Sequence, residues 1–158
     1  MAEIIKMTSA KKADLDKMTG WMYTWWGKEQ GFSREAVRCY IEHGMSACGL
    51  PQTYGLLDGG ELIGMYQFLY CDLEVRPDIY PWLANVYIEK ERRGRGLGRK
   101  LLESVRDSAA RNTDFEYLYL FTAHTGLYEK YGWEFVSEID TFGKKDRIQR
   151  LYRLGLKR

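Results

Sequence analysis

A chain of 158 residues that is 45% hydrophobic and 29% charged has the size and mix of one globular domain with a core of its own. Its formal net charge of +2 is too small for general adhesion to nucleic acid or an anionic membrane, and no run approaches the roughly 18 apolar residues of a membrane span. Cys39, Cys48 and Cys71 lack metal-like or disulfide-like spacing, His43 and His124 have no cysteine pair beside them, and the start Met1-Ala2-Glu3-Ile4-Ile5 has no secretory pattern. A single domain over residues 1–158, without metal and in a reducing, cytoplasmic setting, is the expectation.

Glu3 to Met7 reads as a short strand, and Ser9 as the cap of a helix whose apolar positions Leu15, Met18, Met22 and Trp25 keep helical spacing. Ser33 repeats the cap signal for a second helix carrying Ala36, Val37, Tyr40, Ile41 and Met45, which Gly49 and Pro51 end. Trp21, Trp25 and Trp26 concentrate indole surface between them, suited either to core packing or to the wall of a substrate cleft.

From Thr53 the period becomes that of strands. Thr53 to Leu57, the turn Asp58-Gly59-Gly60, and Glu61 to Tyr70 read as a hairpin. Cys71 to Pro81 is a connection holding Asp72 and Glu74. Trp82 to Ile88 is a buried strand, and a helix with Leu97, Leu101, Leu102, Val105 and Ala109 on one face runs to Asn112-Thr113. Glu116 to Thr122 is the next strand, so the pair is expected to be parallel, joined by a right-handed crossover. Thr125 is placed to cap a short helix through Tyr131 that Gly132 ends; Trp133 to Ile139 and Arg150 to Leu156 follow as strands.

Leading from the strand at Trp82 into the helix that begins at Leu97 is Glu91-Arg92-Arg93-Gly94-Arg95-Gly96-Leu97-Gly98-Arg99-Lys100, with three glycines and four arginines. Glycines let backbone N–H groups approach a ligand, and a helix start adds unpaired N–H groups and a positive dipole end, a setting for phosphate. A P-loop requires Ser or Thr after its Gly-Lys, and a dinucleotide fingerprint requires a third glycine where Arg99 stands, so neither applies.

Arg93-x-x-Gly96-x-Gly98 resembles the acetyl-CoA pyrophosphate loop of the GNAT superfamily of N-acetyltransferases. Val86-Tyr87-Ile88 is similar to that family's splayed strand, and Leu127-Tyr128-Glu129-Lys130-Tyr131-Gly132-Trp133 to its second signature. The resemblance implies an α/β (α+β) fold, a mixed, mostly antiparallel twisted sheet with a central splayed parallel pair and helices on both faces. It implies that acetyl-CoA is the cosubstrate, that backbone amides of Arg93, Gly94, Arg95, Gly96, Leu97, Gly98 and Arg99 cradle the pyrophosphate, and that main-chain groups of Val86, Tyr87 and Ile88 pair with the pantetheine arm. Arg92 and Arg95 are left facing solvent or a 3′-phosphate.

By the same resemblance Tyr128 aligns with the tyrosine that the family commonly uses as general acid, and a phenol of pKa about 10 stays protonated at neutral pH. The base is open. The position at which some relatives carry a glutamate is Trp82, which takes no proton, so Asp72, Glu89, His124 or a water chain remain, with Asp72 alternatively a contact for a cationic substrate. A second departure is Phe121-Thr122-Ala123-His124-Thr125, where an asparagine is often found. The function implied is acetyl transfer to a primary amine of a small molecule or peptide, with a homodimer common among similar enzymes. The alternative is a non-catalytic acyl-CoA sensor or interaction module. A nucleic-acid contact through the arginines has no interleaved aromatic platform to support it.

Overall fold

The computed structural model describes residues 1–157. Seven strands hydrogen-bond in the order β1-β2-β3-β4-β5-β7-β6: Ala2–Met7 (β1), Gln52–Asp58 (β2), Glu61–Leu69 (β3), Trp82–Ile88 (β4), Tyr117–Thr122 (β5), Glu134–Asp140 (β6) and Ile148–Gly155 (β7). β1 runs antiparallel to β2, and β7 runs antiparallel to both β5 and β6. β4 and β5 are parallel and share register at Trp82 opposite Tyr119, as the helical crossover between them requires. The architecture is the mixed, mostly antiparallel one expected. The chain divides into two compact units, residues 1–67 with 85–98, and residues 68–84 with 99–158.

In the first unit, helices α1 (Lys12–Met22) and α2 (Arg34–Glu42) supply the core with Leu15, Met18, Met22, Val37 and Ile41, packed with Met7, Leu62 and Met65. Ser33 caps α2, its Oγ accepting from the Ala36 N–H at 3.1 Å. Ser9 does not cap α1: Lys11 occupies the cap position and makes no side-chain cap bond, because the helix starts three residues beyond Ser9. Ser33→Ala should therefore lower stability by about 1 kcal/mol, seen as a lower urea midpoint with an unchanged slope, whereas Ser9→Ala should be silent.

α1 runs on into a π-helical turn, Tyr23–Gly27. One extra residue in a turn rotates everything after it by ~100°, which removes Trp25 from the buried stripe that its spacing promised. Trp25 is 49% exposed, while Trp21 stays buried. The hairpin from β2 to β3 turns at Gly59 and Gly60, both at positive φ as the two-residue turn demands.

In the second unit, Leu73, Trp82 and Leu151 form a buried cluster against which Val75, Ile79, Tyr119 and Phe121 pack. Helix α3 (Leu97–Asn112) buries Leu101, Leu102, Val105 and Ala109 of the face read from its spacing, while Leu97, in its first turn, is half-buried. A short 3-10 turn, Tyr128–Tyr131, follows β5 and ends at Gly132, φ +87. Thr125 makes no cap there, since Leu127 holds that position without a side-chain bond.

Candidate functional site

In the first unit the site is built at the end of β4. Its first three residues are buried, whereas Asn85, Val86, Tyr87 and Ile88 are half-buried. Tyr87 stacks on Trp21, centroids 5.2 Å apart, and lies 5.9 Å from Trp25, so the tryptophans brace this strand. Arg93 folds back along it, with Nε donating to the Ile88 carbonyl at 2.8 Å and the guanidinium 5.1 Å over the Tyr87 ring. A single-turn 3-10 helix, Lys90–Arg92, links β4 to the glycine turn.

Arg92 is half-buried and committed to carboxylates. Its guanidinium pairs with Asp58 at 3.2 Å and Glu61 at 2.6 Å, with Glu89 at 3.9 Å. Glu89 also accepts an ion pair from Lys17 Nζ at 3.0 Å. Burial alone would lower the Lys17 pKa, and the hydrogen bond and charge of Glu89, followed by those of Glu61, outweigh it and raise the ammonium above its ordinary value. A carboxylate held between two cations is a brace for the connection.

Beyond Arg92 the turn opens. Arg93 N–H reaches the Lys90 carbonyl at 3.4 Å, and among the described residues no protein group accepts from the N–H of Arg95 or Gly96. The first N–H groups of α3, at Leu97 and Gly98, have no intrahelical acceptor by construction. Gly94 and Gly96 sit at φ +78 and +77, which turns successive N–H groups toward one side. Arg95 is exposed, and Arg99 spends its side chain on Glu103 at 2.7 Å. Donors without acceptors, glycines at positive φ and a helix start fit a diphosphate.

In the second unit Tyr128 is half-buried against Trp133 and Tyr152, at centroid distances of 6.0 and 6.1 Å. Burial pushes its phenol above the ordinary tyrosine value, and among the described residues no protein group hydrogen-bonds its hydroxyl. The adjacent Glu129 is occupied: its carboxylate accepts from the buried Tyr152 hydroxyl at 3.1 Å, and its own backbone amide is the main reason that its pKa is lowered.

Asp72, in the connection after β3, is the titratable group with the largest displacement. Burial first and the charge of Glu74 second raise its carboxyl to about 7. Trp82 is fully buried with Nε1 on the Ile79 carbonyl at 2.9 Å, a core residue. His124 is exposed beyond β5, its backbone N–H donating to Thr122 Oγ1 at 3.1 Å.

A family model described as "Acetyltransferase (GNAT) domain" matches residues 51–135, more than half of the chain. The chain belongs to the GNAT family. This acetyl-CoA-dependent N-acyltransferase is 28% identical over 111 residues to a probable spermine N(1)-acetyltransferase of Bacillus subtilis subsp. natto (strain BEST195), a match covering 66% of this chain and 73% of that protein. Its fold superposes on an aminoglycoside 6′-N-acetyltransferase complexed with coenzyme A, with a TM-score of 0.75 and 16% identity over 99% of this chain and 98% of that one. A GNAT family acetyltransferase from Elizabethkingia anophelis with acetyl-CoA bound gives a TM-score of 0.65 at 18% identity, covering 98% of each chain.

Sequence reasoning on this GNAT domain missed Asn85, which sits mid-strand at φ +53. A signal was present. Asparagine is depleted in strands and tolerates the left-handed region better than most residues, so one such residue inside the apolar run of β4 marks a kink.

Proposed function

We propose that the enzyme transfers the acetyl group of acetyl-CoA to a primary amine of a small polyamine-like molecule. The observation that carries the cofactor half is the glycine turn, where Arg95 and Gly96, and the first α3 residues Leu97 and Gly98, present N–H groups that no described intrahelical or loop carbonyl accepts. The acceptor half is supported by the relative named for spermine and by exposed aromatic surface at Trp25, Phe32 and Tyr40 that can attract an alkylammonium.

Acetyl-CoA supplies an activated thioester. Main-chain groups of Val86, Tyr87 and Ile88 line up its pantetheine amides, with the Tyr87 or Ile88 N–H donating to the thioester oxygen as it gains charge. Asp72, whose carboxyl titrates near neutrality, takes the proton of the attacking amine, directly or through water. The amine nitrogen bonds to the carbonyl carbon, the carbon–sulfur bond breaks, and Tyr128 gives its proton to the departing thiolate. Glu89 is set aside as base because Lys17 and Arg92 already hold it. A cytoplasmic enzyme is supported by three exposed, free cysteines, and self-association by the exposed Phe135 and Val136 of the edge strand β6.

The test is calorimetric titration with acetyl-CoA followed by a thiol-release assay with spermine. Binding with spermine-dependent release of free thiol is expected. No binding removes the reading, and tight binding without release across an amine panel leaves a non-catalytic acyl-CoA module.

The Asp72 assignment makes a separate prediction. Between pH about 4 and about 7 the folded chain keeps a proton on Asp72 that the unfolded chain has released, so stability falls as pH rises through that window. Asp72→Asn should raise stability above pH 7 by at most about 4 kcal/mol, and by less because part of the residue meets solvent. It should also abolish the rise of kcat/KM through pH about 7 that a base of this pKa imposes on the wild type. Matched melting and rate profiles from pH 5 to pH 9 check both, and a wild-type rate flat across neutrality would exclude Asp72 as the base.

A further inference from the structure

We infer that Asn85 is a positioning residue for acetyl transfer, one side chain that ties an aromatic acceptor wall, Trp26 and Tyr40, to the cofactor-facing end of β4; this rests on the reading above.

The backbone comes first. A non-glycine residue in the left-handed region is strained, somewhat less so for asparagine, and a strand interior has no need of one unless the chain must change direction. At φ +53, Asn85 turns the strand immediately before Val86, Tyr87 and Ile88, the residues assigned to the pantetheine arm. Just beyond them the strand end is tied to β3, where the Glu89 N–H donates to the Ile63 carbonyl at 2.9 Å, and β3 approaches closely, since the Tyr87 carbonyl lies 2.8 Å from where a side chain at Gly64 would begin.

The carboxamide is fully used. Oδ1 accepts from Trp26 Nε1 at 3.1 Å, and Nδ2 donates to Gln67 Oε1 at 2.7 Å and to the Tyr40 hydroxyl at 3.0 Å. Gln67 is fully buried and passes the chain on, donating to Thr53 Oγ1 at 3.0 Å, which in turn donates to the Gly44 carbonyl at 2.8 Å. The buried members, Gln67 and Thr53, would be costly to leave without their partners. A cheaper way to fill the same space is an apolar side chain, so the polar chain specifies geometry.

What it specifies is the placing of rings. Trp26 meets Phe32 and Tyr40 edge to face, at centroid distances of 6.2 and 5.6 Å, and Phe32 and Tyr40 are 47% and 40% exposed. The π-helical turn carries Trp26 to this position. Aromatic faces set at right angles and open to water suit an alkylammonium. Asn85 holds two of the three by hydrogen bonds while its own backbone aims β4. Acceptor and cofactor contacts are thereby registered to each other, which near-attack geometry demands.

Full-length wild type, Asn85→Gly, Asn85→Ala and Tyr40→Phe are compared by acetyl-CoA titration, initial rates with spermine as the probe, and thermal melting. Asn85→Gly keeps the positive φ and loses the carboxamide, so its acetyl-CoA Kd should stay within about threefold while KM for spermine rises about tenfold or more. Asn85→Ala cannot hold that backbone at ease and should weaken acetyl-CoA as well. Tyr40→Phe removes only a hydroxyl, and a several-fold rise in KM at unchanged kcat is expected even if the Asn85 variants fold poorly. Unchanged spermine KM in both Asn85→Gly and Tyr40→Phe, with only the melting temperature lowered, would reduce the network to a structural one and overturn the proposal. A wild type that fails to bind acetyl-CoA would instead remove the functional reading beneath it.

Discussion

Gly96→Val is expected to yield a folded protein that no longer binds acetyl-CoA measurably. Gly96 sits at φ +77, where a β-branched residue is a genuine outlier costing about 1–2 kcal/mol or more. Nothing lies within 4 Å of where its Cβ would go, so the fold gains no clash, and the methyl groups enter the open space that the turn leaves beside its N–H groups. Strain at the turn and steric exclusion of a diphosphate act together on binding. A loss of about 100-fold or more in Kd follows, equivalent to about 3 kcal/mol, with a melting temperature a few degrees below wild type at most. Calorimetry beside a thermal melt separates the two effects. Wild-type affinity in the valine protein would mean that the turn between β4 and α3 does not hold the phosphates.

Tyr128→Phe is expected to lower kcat by about 10²- to 10³-fold with little change in acetyl-CoA affinity, the usual scale for losing one positioned proton donor. The substitution removes one oxygen that no described protein group hydrogen-bonds, and it leaves the ring packed on Trp133 and Tyr152. Stability should therefore stay near wild type, which makes the kinetic loss interpretable. Because burial raises the phenol above its ordinary value, the wild-type rate should show no alkaline fall attributable to Tyr128 below pH about 10. A phenylalanine enzyme turning over within threefold of wild type would transfer the acid role to another group or to water.

Local chemistry was legible at the places where neighbours along the chain decide the outcome. β4 begins at Trp82 and ends at Ile88 as read from its apolar run, α3 buries Leu101 and Leu102 of the three leucines that its period selects while Leu97 at its start is half-buried, and the Asp58-Gly59-Gly60 turn closes the hairpin. The glycine turn was recognisable for the same reason: glycine spacing before a helix start is a property of a few consecutive residues. Capping was less so, since Ser33 and Ser9 look alike in sequence and differ only in where the helix geometry begins.

The identity of the chemistry, a glycine turn feeding a helix and a Tyr-Glu-Lys run beyond the next strand, was thus determined by the sequence alone. Only the tertiary structure decided which ionisable and polar groups are at liberty. Arg92 is taken by Asp58 and Glu61, 34 and 31 residues away, and Asp72 is displaced to about 7 by burial that no local pattern announces. A π-helical turn sends Trp25 outward while Trp21 stays inside, and Asn85 finds Trp26 across 59 residues. Sterics and periodicity act between near neighbours and are written in order along the chain, whereas desolvation, ion pairing and hydrogen-bond partnership depend on which distant segments folding brings together.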